Sequence, residues 1–242
     1  MSCIVPTPNF MRPEFDIFKL HVELIVVDDI AATLLSALDP IVLNGFHIHR
    51  TASSAEFHVS VVVAAEAKQA AELASALSDK RLLVFLLILT DTEPSQINGS
   101  YLLCPPHSKI LIPLLVALRR LFFEHSFIGI DFSDYAPTFR TPGRIWFIYR
   151  ELSYGMSLAD AGTELGGIIR AHKASISTIL MVFATGEQFL DAAISETNQL
   201  YQIDVTVEAI CQNPPVDDNT GIMFAGYSLE GLDIFSIGVF IA

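Results

Sequence analysis

The sequence predicts an α/β protein, with a parallel, Rossmann-like N-terminal layer followed by a smaller α+β C-terminal domain. Two observations support this class. Residues Phe57–Leu89 follow the order strand, helix, strand, and Leu82–Leu89 is apolar on both faces, as a central strand covered on two sides requires. This order is typical of a right-handed βαβ unit in a parallel sheet. After Gly143 the pattern changes, which indicates a second domain.

The first predicted domain, residues 1–125, contains two strand–helix units, a further strand and a longer helix. Its strands are predicted from short, β-branched apolar runs, and its helices from apolar residues spaced three and four apart. In chain order the elements are strand Phe18–Val27, helix Ile30–Leu38, strand Phe57–Val63, helix Ala64–Asp79, strand Leu82–Leu89 and helix Leu111–His125.

The second predicted domain is residues 126–242. Ser157 is the N-cap of a helix, since Asp160 follows three residues on. Period-two alternation predicts a strand at Ile203–Ile210. The run Ile234–Ala242 is either a core strand or an apolar edge that awaits a partner. The other predicted elements are strand Arg144–Arg150, strand Ile176–Ala184, helix Glu187–Tyr201, turn Asn213–Thr220 and strand Gly221–Tyr227.

Composition excludes several classes of protein. Hydrophobic residues make up 52% and charged residues 17% of the chain, so we expect a sizeable core. The net charge of −13 disfavours nucleic acid and anionic membranes as partners. The apolar runs are far shorter than the roughly 20 residues of a membrane span, and we expect no signal sequence, because the first residues carry no basic start followed by an apolar run. Three scattered cysteines form neither a disulfide nor a zinc pattern, so a cytoplasmic location is expected.

The segment Phe127–Tyr135 resembles the synergy loop of the FtsZ branch of the tubulin superfamily. The family's pattern is Asn-x-Asp-Phe-x-x-Asp with small variations in spacing, and Gly129, Asp131, Phe132 and Asp134 stand at the matching places. The resemblance extends in order and pattern to about residue 227, with few identities, and is weaker before residue 126. It implies an FtsZ/tubulin-like fold.

In this family the synergy loop acts in trans, on the nucleotide bound by a filament neighbour. The resemblance therefore implies that Asp131 and Asp134 assist another protein's nucleotide, as oxygen ligands beside a magnesium-bound phosphate. It also implies a docking face made of Gly129, Asp131, Phe132, Asp134 and Tyr135. Gly129 departs from the family's asparagine, which weakens the expectation of catalytic help more than that of docking. The alternative that both aspartates only cap the following helix stays open.

The glycine-rich phosphate loops of this family are missing. Phosphate-binding loops use glycine because backbone N–H groups must approach the phosphate closely from a helix N-terminus. Here the strand continues through Val63–Glu66 without glycine, and Asp28 and Asp29 follow the first strand. The alanine Cβ atoms block close approach, and the acidic side chains repel phosphate. We therefore predict that the chain binds neither GTP nor another cofactor.

These observations favour a non-enzymatic FtsZ-like protein of bacterial division or the cytoskeleton. Such a protein would dock on a tubulin-family protomer or on itself, as a filament partner, cap or regulator. One alternative is a structural homo- or hetero-oligomer without a link to GTP. Another is a small-molecule enzyme with a pocket at the carboxyl ends of strands near Thr90 and Asp91. His47, His49 and His58 are interpreted as surface strand histidines, and no metal site is predicted.

Overall fold

A computed structural model describes residues 20–52, 57–95, 97–153, 155–172, 176–186, 199–212, 220–229 and 234–242 of the chain. Nine strands and six helices lie within these ranges, and none of these helices has the length and apolar character needed to cross a bilayer. The strands are β1 (Val22–Val26), β2 (His47–His49), β3 (Val59–Ala64), β4 (Leu83–Ile88), β5 (Ser100–Leu103), β6 (Gly143–Ser153), β7 (Thr178–Gly186), β8 (Gly221–Leu229) and β9 (Ile234–Ile241). The helices are α1 (Asp29–Ser36), α2 (Ala67–Leu77), α3 (Leu111–Phe123), α4 (Phe132–Arg140), α5 (Leu158–His172) and α6 (Gln199–Cys211).

All nine strands belong to one continuous sheet in the order β2-β1-β3-β4-β5-β6-β9-β7-β8. From β2 to β6 the neighbours pair in parallel, whereas β9 is antiparallel to both β6 and β7. The parallel layer joins the C-terminal strands where Ser100 of β5 lies opposite Gly143 of β6. One sheet thus contains strands from both sides of residue 126, and the division of the chain into two domains there stays a prediction.

The predicted βαβ unit is confirmed in β3, α2 and β4. The two strands pair in parallel, from Val59 opposite Leu83 to Ala64 opposite Ile88. The two faces of β4 contribute to different clusters of buried residues, one of which includes side chains of α1, α3 and α4 and the other side chains of α2. This burial explains why the strand is apolar on both faces, as burying one large apolar side chain stabilises the fold by about 1.5–3 kcal/mol.

The C-terminal run is a core strand. β9 lies between β6 and β7 and is hydrogen-bonded to both. Phe235, Val239 and Ile241 are each 0% exposed. Because both edges of β9 are paired, the alternative of an open apolar edge at this run is wrong.

The strand predicted at Ile203–Ile210 is also wrong, because these residues form most of α6. The buried side chains of this helix recur at spacings of three and four, which is the helical period. Packing against α5 therefore outweighs the preference of isoleucine and valine for strands. The buried residues of α6 are Gln202, Ile203, Thr206, Ala209 and Ile210.

Two further predicted elements fall largely outside the described residues. The helix Glu187–Tyr201 overlaps them only at 199–201, which begin α6, and the turn Asn213–Thr220 overlaps them only at Thr220. The first two residues of the strand Phe18–Val27 lie outside them as well.

Helices α5 and α6 approach each other closely at two glycines. A Cβ atom at Gly162 would lie 2.7 Å from the Cβ of Ala209 and 2.7 Å from the carbonyl oxygen of Thr206. A Cβ atom at Gly166 would lie 3.0 Å from the carbonyl oxygen of Ile210. The missing side chains at these two glycines therefore set the distance between the helices.

Replacing Gly162 tests this close approach. Gly162→Ala is expected to lower the free energy of unfolding by about 1–3 kcal/mol, because the helices must move apart to admit the methyl group. Gly167→Ala is the matched control, since a Cβ atom there meets nothing within 4 Å. The control is expected to raise the free energy of unfolding by up to about 1 kcal/mol through helix propensity. Urea unfolding followed by circular dichroism measures both, and equal effects of the two variants would contradict the close packing.

Candidate functional site

The turns that follow β1 and β3 meet at the carboxyl edge of the parallel strands. Asp28 is the N-cap of α1, and its Oδ1 accepts a hydrogen bond from the backbone N–H of Ala31 at 2.8 Å. Its Oδ2 accepts the N–H of Ala65 at 2.6 Å and that of Glu66 at 3.3 Å, in the turn between β3 and α2. One carboxylate therefore serves the starts of two helices.

This arrangement places a fixed negative charge where helix N-termini attract anions. The free N–H groups of a helix start carry partial positive charge and bind phosphates or carboxylates. Just before α2, the N–H groups of Ala65 and of the N-cap residue Glu66 already donate to Asp28. The neighbouring Asp29 pairs with Arg50 at 2.8 Å, and Glu66 is exposed with no capping hydrogen bond from its side chain. A phosphate group at this turn would face the charges of Asp28 and Glu66.

Of the histidines in the sequence analysis, His47 and His49 lie on β2, and His58 lies just before β3. His47 and His49 both contact Phe57, with ring centroids 5.3 and 5.6 Å apart. The Nδ1 atom of His58 accepts the backbone N–H of His21 at 3.1 Å, so one ring nitrogen of His58 is engaged. Within the described ranges, no group of three or more His, Cys, Asp or Glu side chains is placed to hold a metal ion.

Two cavities lined by described residues lie away from Thr90 and Asp91. One, of about 580 Å³, lies between α1 and β2. The other, of about 230 Å³, lies between α3 and the strands β6 and β9. Since neither Thr90 nor Asp91 lines them, these cavities do not supply the pocket that the enzyme alternative expects at those residues.

Asp131 and Asp134 form a capping box at the start of α4. The Oδ1 atom of Asp131 accepts the N–H groups of Ser133 at 2.8 Å and of Asp134 at 3.3 Å, together with the Ser133 hydroxyl at 2.6 Å. In return, the Oδ2 atom of Asp134 accepts the N–H of Asp131 at 2.8 Å. The capping role that the sequence left open is therefore present. Both aspartates are also exposed, so capping does not remove them from the surface.

The loop that precedes α4 is held by β8, and α4 itself is held by α3. The N–H of Phe127 donates to the carbonyl of Gly226 at 2.9 Å, and the N–H of Gly226 donates to the hydroxyl of Ser126 at 3.0 Å. A Cβ atom at Gly226 would lie 2.6 Å from the Phe127 ring. On the other side, the hydroxyl of Tyr135 donates to the carbonyl of Leu121 at 2.8 Å. These contacts attach the loop to β8 and helix α4 to helix α3.

Tyr135 lies beneath the predicted docking face. Its side chain is buried, and it is 3% exposed. Burial raises its pKa, and the charges of Tyr227 and Asp131 add to the shift. Phe132 is half-buried and contacts Tyr135, with ring centroids 5.5 Å apart, whereas Gly129 is exposed and a Cβ atom there would meet nothing within 4 Å. Tyr135 thus supports the start of α4 from within and adds little surface, and its predicted place in the interface stays a prediction.

The sequence analysis missed three residues that build these sites. It identified Asp28 as a repulsive charge but not as the acceptor for Ala65, and it passed over Ser126 and Gly226. Two signals were available: an aspartate just before a helix is a common N-cap, and a glycine within an apolar strand marks a close approach of another segment.

Comparison with solved structures identifies the fold. CetZ from Methanosaeta thermophila strain DSM 6194 has a TM-score of 0.59 at 10% identity, with 91% of this chain and 86% of that chain covered. The empty FtsZ dimer from M. jannaschii has a TM-score of 0.55 at 11% identity, with 93% and 88% covered. CetZ1 from Haloferax volcanii, a GDP-bound monomer, has a TM-score of 0.51 at 13% identity.

The chain therefore has the mixed α/β fold of FtsZ and tubulin, as predicted. Identities this low show the fold alone. The chain covers 64% of CetZ1, with 77% of its own length matched. No protein-family model matches the chain, and no curated protein does.

The raised pKa of Tyr135 predicts how the free energy of unfolding changes at alkaline pH. Its pKa is raised from 10.0 in the folded protein, so folding favours the neutral phenol. This contribution to stability is fully present below about pH 10, where the unfolded chain is also neutral, and it is lost as the pH rises further towards the folded-state pKa. Tyr135→Phe is expected to cost about 1 kcal/mol near neutral pH through the lost hydrogen bond to Leu121.

With rising pH the difference in unfolding free energy between wild type and Tyr135→Phe should shrink. Urea unfolding near neutral pH and above pH 10 measures it. Tyr227→Phe is the comparison, since Tyr227 is a second buried tyrosine whose pKa is raised by burial. A difference between wild type and Tyr135→Phe that stays constant over this pH range would contradict the buried, neutral phenol.

Proposed function

We propose that this chain is a non-enzymatic FtsZ-like interaction protein that has lost GTP binding. It docks on a tubulin-family protomer or on a second copy through the synergy-loop face, defined as the surface of Gly129, Asp131, Phe132 and Asp134. In this role it serves as a filament partner, cap or regulator in division or the cytoskeleton.

The observation that carries the loss of GTP binding is the Asp28 carboxylate between the starts of α1 and α2. A triphosphate placed there would have to displace this carboxylate from Ala65 and approach Glu66. A hydrogen bond to a charged group contributes about 1.5–3 kcal/mol. Because Asp28 belongs to the same chain as Ala65, its carboxylate competes with the phosphate at any GTP concentration. In place of glycine, the turn carries the Cβ atoms of Ala64 and Ala65. Both effects oppose binding.

The synergy-loop face supports docking because its carboxylates are exposed and its backbone is held firmly. The capping box of Asp131 and Asp134 fixes the start of α4, and the hydrogen bonds at Gly226 hold the segment before it. A preorganised loop loses little conformational entropy on binding. In the family that this chain resembles, the same loop inserts over a neighbour's nucleotide.

Keeping one of two filament surfaces favours a cap over a building block. A head-to-tail filament grows only if each protomer offers two different surfaces. This chain keeps the synergy-loop face, whereas the surface with Asp28 and Glu66 lacks the means to hold the nucleotide that joins protomers in the family. Docking at a filament end therefore stops further addition there.

Mixing this protein with the GTP-binding FtsZ-family protein of its own cell tests the proposal. At less than equimolar amounts the chain is expected to reduce the polymer that sediments and to change the GTPase rate, because one cap blocks a whole filament end. An unchanged rate and an unchanged amount of polymer at every ratio would contradict the proposal. A discrete oligomer in light scattering that ignores the filament protein would favour the structural-oligomer alternative.

A double variant separates docking on the filament from the helix-capping role of the two aspartates. Asp131→Asn with Asp134→Asn keeps the side-chain acceptors, and asparagine is as good an N-cap as aspartate, but the two charges are lost. Asp39→Asn is the matched control, since Asp39 is exposed and its Oδ1 accepts the N–H of Ile41 at 2.9 Å. The double variant should fold and lose its effect on the filament, while the control keeps it. If both variants affect the filament equally, the two aspartates only cap helix α4.

A further inference from the structure

The chain contains two steps at which glycine follows asparagine, Asn44–Gly45 and Asn98–Gly99. Such a step has a chemistry of its own, because the backbone nitrogen after the asparagine can attack the side-chain amide carbon. Glycine hinders this attack least, since it has no Cβ atom and the widest choice of backbone angles. Both asparagines are exposed, so exposure does not separate the two steps, but their backbone contacts differ.

The backbone at Asn44–Gly45 is held in place. The N–H of Phe46 donates to the carbonyl of Leu43 at 3.1 Å, which closes a turn around this step. The Phe123 ring packs against the step as well, since a Cβ atom at Gly45 would lie 2.8 Å from that ring. Rotating the peptide between Asn44 and Gly45 towards the asparagine side chain would therefore break the turn.

The backbone at Asn98–Gly99 has no such closure. Within the described ranges, neither the N–H of Gly99 nor the side chain of Asn98 has a hydrogen-bond partner. A Cβ atom at Gly99 would meet nothing within 4 Å, and the residue has a φ of +122°, which glycine adopts without strain. The backbone nitrogen of Gly99 and the amide carbon of Asn98 are therefore free to approach each other.

The step lies directly before the join between the parallel strands and the C-terminal strands. The carbonyl of Gly99 accepts the N–H of Gly143 at 2.9 Å. The next residue, Ser100, lies opposite Gly143 where β5 and β6 begin to pair. A change in the backbone at Asn98 therefore acts on the first contact of this pairing.

We propose that Asn98 is a site of spontaneous deamidation, and that this modification weakens the join between β5 and β6. The nitrogen of Gly99 attacks Cγ of Asn98 and forms a cyclic imide. The bond from Cγ to the side-chain nitrogen breaks, and that nitrogen leaves as ammonia with the proton from Gly99. Water then opens the imide at either carbonyl, which gives aspartate or isoaspartate. Both steps need only water as a co-reactant.

The two products change the protein in different ways. Aspartate adds a negative charge at an exposed position, and such surface changes usually have little effect on stability. Isoaspartate leads the backbone through the side-chain methylene, so the chain becomes one atom longer directly before β5. Because strand pairing depends on register, the extra atom displaces Gly99 relative to Gly143. The modification involves neither Asp28 nor the synergy-loop face, so it does not depend on the proposed function.

Ageing the wild-type protein at mildly alkaline pH and mapping it by peptide mass spectrometry tests the site. Trypsin places the two asparagines in separate peptides, 20–50 and 82–109, each without another asparagine. The peptide with Asn98 is expected to acquire the mass shift of deamidation several-fold faster than the peptide with Asn44. A protein-isoaspartate methyltransferase should also transfer a methyl group to the aged protein. Equal rates at the two asparagines, or no reaction at Asn98, would overturn the proposal.

Variants at Asn98 separate the added charge from the longer backbone. Asn98→Ser removes the reacting amide, and Asn98→Asp, measured directly after purification, carries the charge on a normal backbone. In urea unfolding followed by circular dichroism, aged wild type should have a lower midpoint than fresh wild type. Aged Asn98→Ser and fresh Asn98→Asp should keep the midpoint of fresh wild type.

Asn44→Ser is the matched control, since it removes the other step and leaves Asn98 in place. It should lose stability on ageing as wild type does. An aged wild type that contains isoaspartate at Asn98 and keeps the midpoint of fresh protein would overturn the proposal. An equal loss of stability in aged Asn98→Ser would overturn it as well.

Discussion

The edge at which β1 and β3 end depends on one ionic hydrogen-bond arrangement, in which the carboxylate of Asp28 is shared between the start of α1 and the turn before α2. Its Oδ1 accepts the N–H of Ala31, and its Oδ2 accepts the N–H of Ala65, which is 37 residues from Asp28 in the sequence. The contact joins β1 and β3 at their carboxyl ends, where a nucleotide-binding member of this fold would need open N–H groups and glycine. The same interaction therefore joins the two strand ends and, under the proposed function, opposes phosphate binding.

At the second site, the helix-capping role of one pair of side chains is compatible with the docking role that we propose for it. Asp131 and Asp134 satisfy backbone groups at the start of α4, a contribution of about 1 kcal/mol for a typical N-cap. They remain exposed, so the cap also fixes the direction of two carboxylates at the surface. A structural cap and a docking surface are thus compatible here, and only variants that keep the acceptors while removing the charges distinguish them.

The sequence predicted much of the fold, because local periodicity carries most of the information about its strands and helices. The β3–α2–β4 unit followed from the alternation of Phe57–Val63 and the alanine stripe after it. The error at Ile203–Ile210 arose because the deciding contact is not local: α6 packs against Gly162 and Gly166 of α5. The hydrogen bond between Ser126 and Gly226 spans 100 residues and is equally invisible to periodicity. The charges of Asp28 and Glu66 drew attention to the turn on which the proposed loss of phosphate binding rests, but they did not reveal the hydrogen-bond partners of Asp28.

The most direct measurement follows the amide signals of Ala65 and Glu66 by nuclear magnetic resonance while GTP and Mg²⁺ are added to ¹⁵N-labelled protein. The two amides report on the turn where a phosphate would bind, and in this account they stay bonded to Asp28. Their chemical shifts are predicted to remain unchanged throughout the titration. A saturable shift of both amides at micromolar GTP would contradict the account, because it would show the nucleotide taking the place of the carboxylate.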